Sequence, residues 1–250
     1  MENNENLIKE YNKKTKGVIN YYKHTLFVST FHSTSIEGST LTENQVIDLL
    51  DYGKTVANKP FEHHLMVTDH YKAIIYTMNL AKNKTKLSVS ELQNISALIM
   101  QNTGKIVNTS LGSYDISKGE FRKSGVFAGK RQFPDAKKVP ELIKNMLQSF
   151  NKELNLVKSI EDKIKLSFKI HFDFVSIHPF GDGNGRVSRL LMNYVQNFFN
   201  LPLCVVSKNS RLKYIEALEK TRKTENIDVF YKFMFAEYSK FLKSEIKKII

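Results

Sequence analysis

The stretch that most constrains the fold of this chain is residues 178–189, His-Pro-Phe-Gly-Asp-Gly-Asn-Gly-Arg-Val-Ser-Arg. Its glycines stand at alternate positions, 181, 183 and 185. Because glycine lacks a Cβ atom, successive backbone N–H groups there can turn toward a single anion. Good helix formers follow from Arg186 onward without a breaker. The sequence therefore predicts a loop that enters a helix at its anion-binding N-terminus.

Four side chains in this stretch have the chemistry of a phosphate site. Arg186 and Arg189 are three residues apart, so both lie on one face near the start of the predicted helix, where guanidinium groups can hold phosphate oxygens. Asp182 is a carboxylate that can hold Mg²⁺ together with phosphate oxygens. A neutral His178 could accept a proton from an attacking hydroxyl group.

The same residues also allow plainer interpretations. A Gly-Asp-Gly-Asn-Gly run is a good tight-turn sequence, and a single histidine is more often structural than catalytic. Arg186 occupies the place of the last glycine of a dinucleotide-binding fingerprint, and the chain contains no P-loop sequence. The complete set of residues in fixed order is therefore what indicates a function.

That set resembles the signature of the Fic (filamentation induced by cAMP) family, HPFx[DE]GNGRxxR, at every specified position. The resemblance implies a mainly α fold, a helical bundle with a small β-hairpin flap near the active site. It also implies a protein adenylyltransferase (AMPylator) that uses Mg²⁺ and transfers AMP from ATP to a Tyr, Ser or Thr hydroxyl. The substrate would be another protein or the enzyme itself.

The resemblance also assigns roles to individual residues. His178 would be the catalytic base and Asp182 the magnesium ligand. Tyr214 resembles an aromatic residue that Fic proteins keep near the nucleobase, although a core tyrosine is an equally good interpretation. Ile215 and Arg222 depart from the residues that adenine-binding members often have in this region. The implied phosphate- and nucleotide-binding residues are Gly183, Asn184, Gly185, Arg186, Arg189 and Tyr214.

A second motif lies near the N-terminus. Gly38 is typical of a helix C-terminus, and Thr42 with a glutamine three residues later predicts a capped helix start. Glu37 would then stand at the negative end of a helix dipole, where a cationic partner would relieve the conflict. Ser33, Glu37 and Gly38 match the inhibitory pattern [ST]xxxE[GN] of Fic proteins. This match implies an ion pair between Glu37 and Arg189 that restrains AMP transfer.

The chain is expected to form one compact domain. Its 250 residues with 41% hydrophobic content can bury a substantial core. We expect an N-terminal helical region over 1–60 with the inhibitory motif at 33–38, then a Fic core with C-terminal helices over 61–250. No apolar run approaches the roughly 20 residues that span a bilayer, and the N-terminus lacks an apolar leader segment. The single Cys204 excludes an internal disulfide framework, so we expect a soluble, cytoplasmic protein.

The net charge of +13 raises the hypothesis of nucleic-acid binding. Only six of the 38 basic residues are arginine, and the lysines are spread along the chain. A solvated lysine-rich surface therefore explains the charge better, and nucleic acid is an unlikely partner. The spacing of His63 and His70 matches no zinc pattern, which favours structural or surface histidines. The sequence leaves homo-oligomerisation open.

In three segments the sequence pattern needs a separate interpretation to predict the secondary structure. Residues 7–32 predict one helix that Gly17 weakens. Residues 164–174 alternate strictly between apolar and polar, which is typical of a strand, but the Fic resemblance implies a buried helix, and we expect the helix. Residues 121–127 predict a short hairpin. Within the resemblance this hairpin is the flap, whose edge could hold a target peptide by strand addition.

Two further functions remain open at this stage. One is the removal of AMP from a modified protein, with Glu37 orienting a water molecule. The other is a regulatory or toxin-like binding protein whose associations change with nucleotide occupancy.

Overall fold

The computed structural model describes residues 4–128 and 131–249 and is mainly α-helical, which confirms the expected fold class. The predicted regions 1–60 and 61–250 include residues 1–3, 129–130 and 250, which lie outside the described residues. The helices of the described part are α1 (Asn4–Thr15), α2 (Tyr21–Ile36), α3 (Glu43–Tyr52), α4 (Phe61–Lys82), α5 (Val89–Met100), α6 (Val139–Leu156), α7 (Ile160–Ile177), α8 (Asn184–Phe198), α9 (Arg211–Thr224) and α10 (Asp228–Lys248).

Two short antiparallel strand pairs lie between α5 and α6. The first joins β1 (Ile106–Val107) to β2 (Tyr114–Asp115). The second joins β3 (Phe127–Ala128) to β4 (Arg131–Gln132) and is the flap. The predicted hairpin over 121–127 is therefore wrong in position, because strand pairing begins only at the last residue of that range.

Arg122 explains why the residues before β3 form no strand. This residue is 1% exposed, so its guanidinium donors need partners inside the protein. They donate to the backbone oxygens of His178 (2.8 Å), Ser124 (2.8 Å) and Pro134 (2.6 Å). The Arg122 N–H donates to the Pro179 oxygen at 3.0 Å. These bonds hold the segment in an irregular conformation against the loop that carries His178.

The prediction of one helix over 7–32 is also wrong, since the chain turns between α1 and α2. Gly17 has φ 85° and Asn20 has φ 61°. A left-handed residue cannot continue a right-handed helix, so the helix ends before Gly17. The break lets α1 pack against α10 while α2 packs against α3, α4 and α8.

The expected helix over 164–174 is confirmed, because α7 covers it completely. Its strand-like alternation has a packing cause. Helices α6, α8 and α10 all contact α7, so apolar side chains are buried on several of its faces. Phe168, His171 and Phe174 are each 0% exposed. The loop 178–183 connects the two buried helices, α7 and α8.

Local capping chemistry behaves as the sequence indicates. Thr42 Oγ1 accepts from Gln45 N at 3.3 Å, and Thr42 N donates to Gln45 Oε1 at 2.9 Å, which together form a capping box at the start of α3. Gly53 ends that helix with φ 66°. Within the described residues, no helix is both long enough and apolar enough to cross a membrane.

The capping box gives a test of the fold. Thr42→Ala removes the side-chain acceptor, and we expect a loss of about 1 kcal/mol in the free energy of unfolding, measured by urea denaturation. Thr55→Ala, in an exposed loop, is the matched control and should change stability by less than about 0.5 kcal/mol. An equal loss in both variants would contradict the capping role.

Candidate active site

His178 lies directly after α7 in a left-handed conformation with φ 55° and ψ 60°. Its N–H still donates to the Phe174 oxygen at 3.0 Å, so the helix ends there and the chain turns into the loop. The Nδ1 atom of the ring lies 3.4 Å from the Val175 oxygen. Because a carbonyl oxygen can only accept, the neutral ring carries its hydrogen on Nδ1 and leaves the lone pair on Nε2. That nitrogen is the atom able to act as a base.

The surroundings of His178 keep the ring neutral. Burial lowers its pKa to about 4, and the positive charges of Arg122, Arg222 and Arg131 act in the same direction. At neutral pH the imidazole is therefore ready to accept a proton. Arg122 and Arg131 come from the flap region and Arg222 from α9.

The loop after His178 is closed by Asn184, which is 2% exposed. Its Nδ2 donates to the Phe180 oxygen at 2.9 Å, and its Oδ1 accepts from Phe180 N at 3.0 Å. Gly183 has φ 78° at the N-terminus of α8, a conformation that favours glycine. These contacts hold the loop closed at the N-terminus of α8, where the first N–H groups of a helix have no partner within the helix.

Arg186 has buried donors that lack partners. It is 2% exposed, and its Nη2 lies 3.1 Å from Met100 Sδ and 3.6 Å from Asp182 Oδ1. Its Nε and Nη1 are buried and have no hydrogen-bond partner among the described residues. Leaving charged donors unpaired is costly, and an anion bound beside Arg186 would offset that cost.

Asp182 stands at the mouth of the same loop. Its side chain is 65% exposed, and its Oδ1 accepts from Gly183 N at 2.5 Å. The described part of the chain contains no group of three or more His, Cys, Asp or Glu side chains placed to hold a metal ion. A single exposed carboxylate next to an anion site fits Mg²⁺ held jointly by protein and phosphate oxygens.

Arg189 makes the predicted ion pair with Glu37, which is confirmed. Its Nη2 lies 2.8 Å from Glu37 Oε1. The residue is 4% exposed, and its Nε donates to Ser33 Oγ at 2.9 Å and its Nη2 to the Ser33 oxygen at 3.0 Å. Its Nη1 is buried with no hydrogen-bond partner in the described part of the chain. The end of α2 therefore occupies one side of this guanidinium, and Nη1 is buried on the other.

The charges of the pair stabilise each other. Burial disfavours the ionised form of Glu37, but the guanidinium of Arg189, with Arg186 and Arg211, lowers its pKa below the ordinary value of 4.5. Burial likewise opposes the charge of Arg189, and Glu37 outweighs it and raises the pKa of Arg189. The Glu37 side chain is 34% exposed, so water screens the interaction in part.

A histidine lies behind the Ser33–Arg189 contact. His70 is 0% exposed, with Nε2 at 2.9 Å from Ser33 Oγ and Nδ1 at 3.3 Å from Thr30 Oγ1. Burial and the charge of Arg189 lower the pKa of His70 well below 6.5. A neutral ring can accept the Ser33 hydroxyl hydrogen, which leaves the Ser33 oxygen to accept from Arg189. His70 is thus a structural histidine, as its spacing indicates.

Tyr214 lies in the core and not in an open cleft. It is 3% exposed, and its hydroxyl is 2.7 Å from His171 Nε2. His171 Nε2 also lies 3.2 Å from Ser188 Oγ. The predicted contact of Tyr214 with a nucleobase stays a prediction.

Sequence reasoning missed one neighbour of His178. Phe133 is 5% exposed, and its ring stacks on the imidazole with a centroid distance of 4.0 Å and an interplanar angle of 22°. No periodicity or motif in the sequence pointed to this residue. Arg122, in contrast, lies in the Gly-Glu-Phe-Arg sequence that resembles the start of a Fic flap.

Residues 86–196 match the family model described as Fic/DOC family. Two curated relatives carry the name "Protein adenylyltransferase Fic". The one from Drosophila persimilis is 29% identical over 199 residues, which cover 79% of this chain and 36% of that protein. The one from Drosophila melanogaster is 29% identical over 199 residues, with 79% and 37% covered. This chain therefore spans only a little over a third of the length of these relatives.

Solved structures share the whole architecture. A Fic domain containing signaling protein from Bacteroides thetaiotaomicron superposes with a TM-score of 0.82 at 19% identity, covering 97% of this chain and 95% of that one. Fic-1 from C. elegans superposes with a TM-score of 0.77 at 22% identity, covering 97% of this chain and 69% of that one. At these identities the similarity establishes the fold.

Gly185 provides a test of how closely α2 approaches the loop. A Cβ atom at this position would overlap Glu37 Oε1. We expect Gly185→Ala to be less favourable for stability by about 1 kcal/mol when Glu37 is present than when Glu37→Gly is also present, because the gain in helix propensity is common to both backgrounds. Gly125→Ala, whose added Cβ would meet only the Phe127 ring at 3.9 Å, is the control. Equal losses with and without Glu37 would contradict the contact.

The pH dependence of stability tests the ion pair. Since the folded protein lowers the pKa of Glu37, the pair contributes fully above the ordinary value of 4.5 and its contribution is lost as pH falls through the lower folded value. Wild type should therefore be more stable than Glu37→Gln at neutral pH by about 1 kcal/mol, and the difference should shrink as the pH falls below 4.5. A difference that does not change with pH would exclude an ionised pair. Urea denaturation at each pH measures it, because urea is uncharged and does not screen the pair.

Proposed function

We propose that this chain, whose residues 86–196 match the Fic/DOC family model, is a protein adenylyltransferase restrained by its own helix α2. The observation that carries this proposal is that one loop joins a neutral imidazole at the C-terminal end of α7 to buried guanidinium donors in the first turns of α8 that have no hydrogen-bond partner among the described residues. Guanidinium donors suit the phosphates of a nucleotide, and a neutral imidazole suits a hydroxyl that must lose its proton. The names of the curated relatives support the same activity.

In the proposed reaction ATP binds with its phosphates at the N-terminus of α8. Arg186 and Arg189 hold phosphate oxygens, and the N–H groups of the first turn contribute the anion hole. Asn184 contributes by keeping the loop closed through Phe180. The α-phosphate then lies within reach of a nucleophile that approaches His178.

The transfer step needs one base. A Tyr, Ser or Thr hydroxyl of the target protein donates its proton to His178 Nε2 as its oxygen forms a bond to the α-phosphorus. The bond between that phosphorus and the bridging oxygen to the β-phosphate breaks, and pyrophosphate leaves. The products are the AMP-modified protein and pyrophosphate. Mg²⁺, held by Asp182 and the phosphates, would neutralise charge on the leaving group.

Restraint follows from competition for Arg189. While Glu37 occupies Nη2, the guanidinium is only partly available to a phosphate, and the carboxylate repels a nearby anion. A partly exposed, charge-assisted pair is worth about 1–2 kcal/mol, which corresponds to about 5- to 30-fold in occupancy of the competent state. Activity should then be low in the resting protein but not absent.

The flap supplies a surface for the protein substrate. Phe127 is 66% exposed at β3, and β3 pairs only with β4 in the described part of the chain. A target segment could therefore add as a further strand and present its hydroxyl to His178. Self-modification and modification of another protein both fit this arrangement.

A labelling experiment tests the proposal. ATP labelled on the α-phosphate is incubated with Mg²⁺ and with wild type, Glu37→Gly, or Glu37→Gly combined with His178→Ala, with candidate target proteins present. We expect transfer to rise by about 5- to 30-fold in the single variant, because Arg189 is released, and to disappear in the double variant.

Two results would contradict parts of this account. Unchanged or reduced transfer on loss of Glu37 would overturn the proposed restraint, but it would not contradict the transferase activity. If no form of the protein transfers AMP, the proposed transferase activity is overturned. If wild type then releases AMP from a pre-modified protein and Glu37→Gly does not, the activity is AMP removal instead.

A further inference from the structure

The imidazole of His178 has few restraints of its own. Its one hydrogen bond within the described residues, from Nδ1 to the Val175 oxygen, is long at 3.4 Å. The torsion that turns a histidine ring is broad and soft, so a bond of this length does not fix the ring plane. Arg122 fixes only the backbone oxygen of the residue, at 2.8 Å. The orientation of Nε2 must therefore depend on packing.

Phe133 provides that packing. Its ring lies nearly parallel to the imidazole, 4.0 Å away between centroids. The guanidinium carbon of Arg131 lies 4.6 Å from the same Phe133 ring. Phe133 therefore contacts both the His178 imidazole and the Arg131 guanidinium.

The backbone around Phe133 is tied on both sides. Phe133 N donates to the Val126 oxygen at 3.2 Å, which continues the β3–β4 pairing by one residue. The next residue, Pro134, accepts from Arg122 Nη2 at 2.6 Å. The position of the Phe133 ring is consequently fixed. The ring belongs to the flap and contacts the imidazole of His178.

Resting on the proposed role of His178 as the base, we propose that Phe133 is a positioning residue that sets the plane of the His178 imidazole and shields it from water. The ring does not touch the reacting atoms; it acts through His178. Removing the flat ring frees the imidazole to rotate, so Nε2 spends less time aimed at the incoming hydroxyl. Misplacement of a reacting group on the scale of an ångström costs about 100-fold in rate.

The Phe133 ring also affects the protonation of His178. The charged groups that face the imidazole are Arg122 and Arg131 from the flap region and Arg222 from α9. Glu219 of α9 pairs with Arg222 at 2.8 Å and with Arg131 at 3.9 Å. Phe133 adds no charge, so its removal changes mainly hydration, and water entering its place raises the pKa of His178 from about 4 toward 6.5.

The test compares two leucine substitutions. Phe133→Leu removes the stacked ring, and Phe61→Leu, at an exposed phenylalanine at the start of α4, is the matched control. Phe133→Tyr keeps a flat ring and serves as the conservative variant. Each is made in wild type and in Glu37→Gly, and Phe133→Met is the second substitution should the leucine variant fail to fold.

Two independent readouts are measured. In the Glu37→Gly background, we expect Phe133→Leu to lower kcat for AMP transfer by about 10- to 100-fold with KM for ATP unchanged, and Phe133→Tyr to restore most of the rate. Without any nucleotide, NMR titration of the His178 ring, identified by its absence in His178→Ala, should show a raised pKa in Phe133→Leu and wild-type behaviour in Phe61→Leu.

The outcomes separate this inference from the proposed function. An unchanged titration together with an unchanged kcat in Phe133→Leu overturns the positioning role even if the transferase is confirmed. A raised His178 pKa in Phe133→Leu supports the shielding of the imidazole by Phe133 even if no AMP transfer is found, because the titration requires no substrate. A rise in KM for ATP at constant kcat would show that Phe133 contacts nucleotide instead, and would also overturn the inference.

Discussion

A buried guanidinium needs a partner for each of its N–H groups, and the end of α2 supplies partners for part of Arg189. Ser33 and Glu37 accept from it at 2.9 Å and 2.8 Å, while Nη1 makes no hydrogen bond in the described chain. The carboxylate can approach this closely because Gly185 has no Cβ atom. The fit of α2 to the loop and the electrostatics of the anion site are thus set by the same few atoms.

The rest of the fold keeps these atoms in place. Helices α7 and α8 are buried in the centre, and the loop between them is closed by Asn184 and backed by Arg122. Both anchors are nearly inaccessible to solvent, so the loop changes shape only if the core opens. The parts of the site that can change are therefore side chains at its edge, chiefly that of Glu37.

Much of this site could be predicted from sequence because its residues are adjacent in the chain. The stretch 178–189 contains the base, the carboxylate and both guanidinium groups, and the family resemblance supplied the pairing of Glu37 with Arg189. Periodicity failed at α7, where burial on several faces mimics a strand, and at 121–127, where the donors of Arg122 override strand pairing. Phe133 could not be predicted, since its importance comes from a contact across 45 residues with no sequence signature.

The most direct test of the central claim is the affinity of a non-transferable ATP analogue, with a methylene bridge between its α- and β-phosphates, for wild type and Glu37→Gln in the presence of Mg²⁺. If Glu37 and phosphate compete for Arg189, isothermal titration should show about 5- to 30-fold tighter binding by the variant, with AMP affinity unchanged. Equal affinities of the two proteins for the analogue would show that the ion pair is structural only, and would contradict the account.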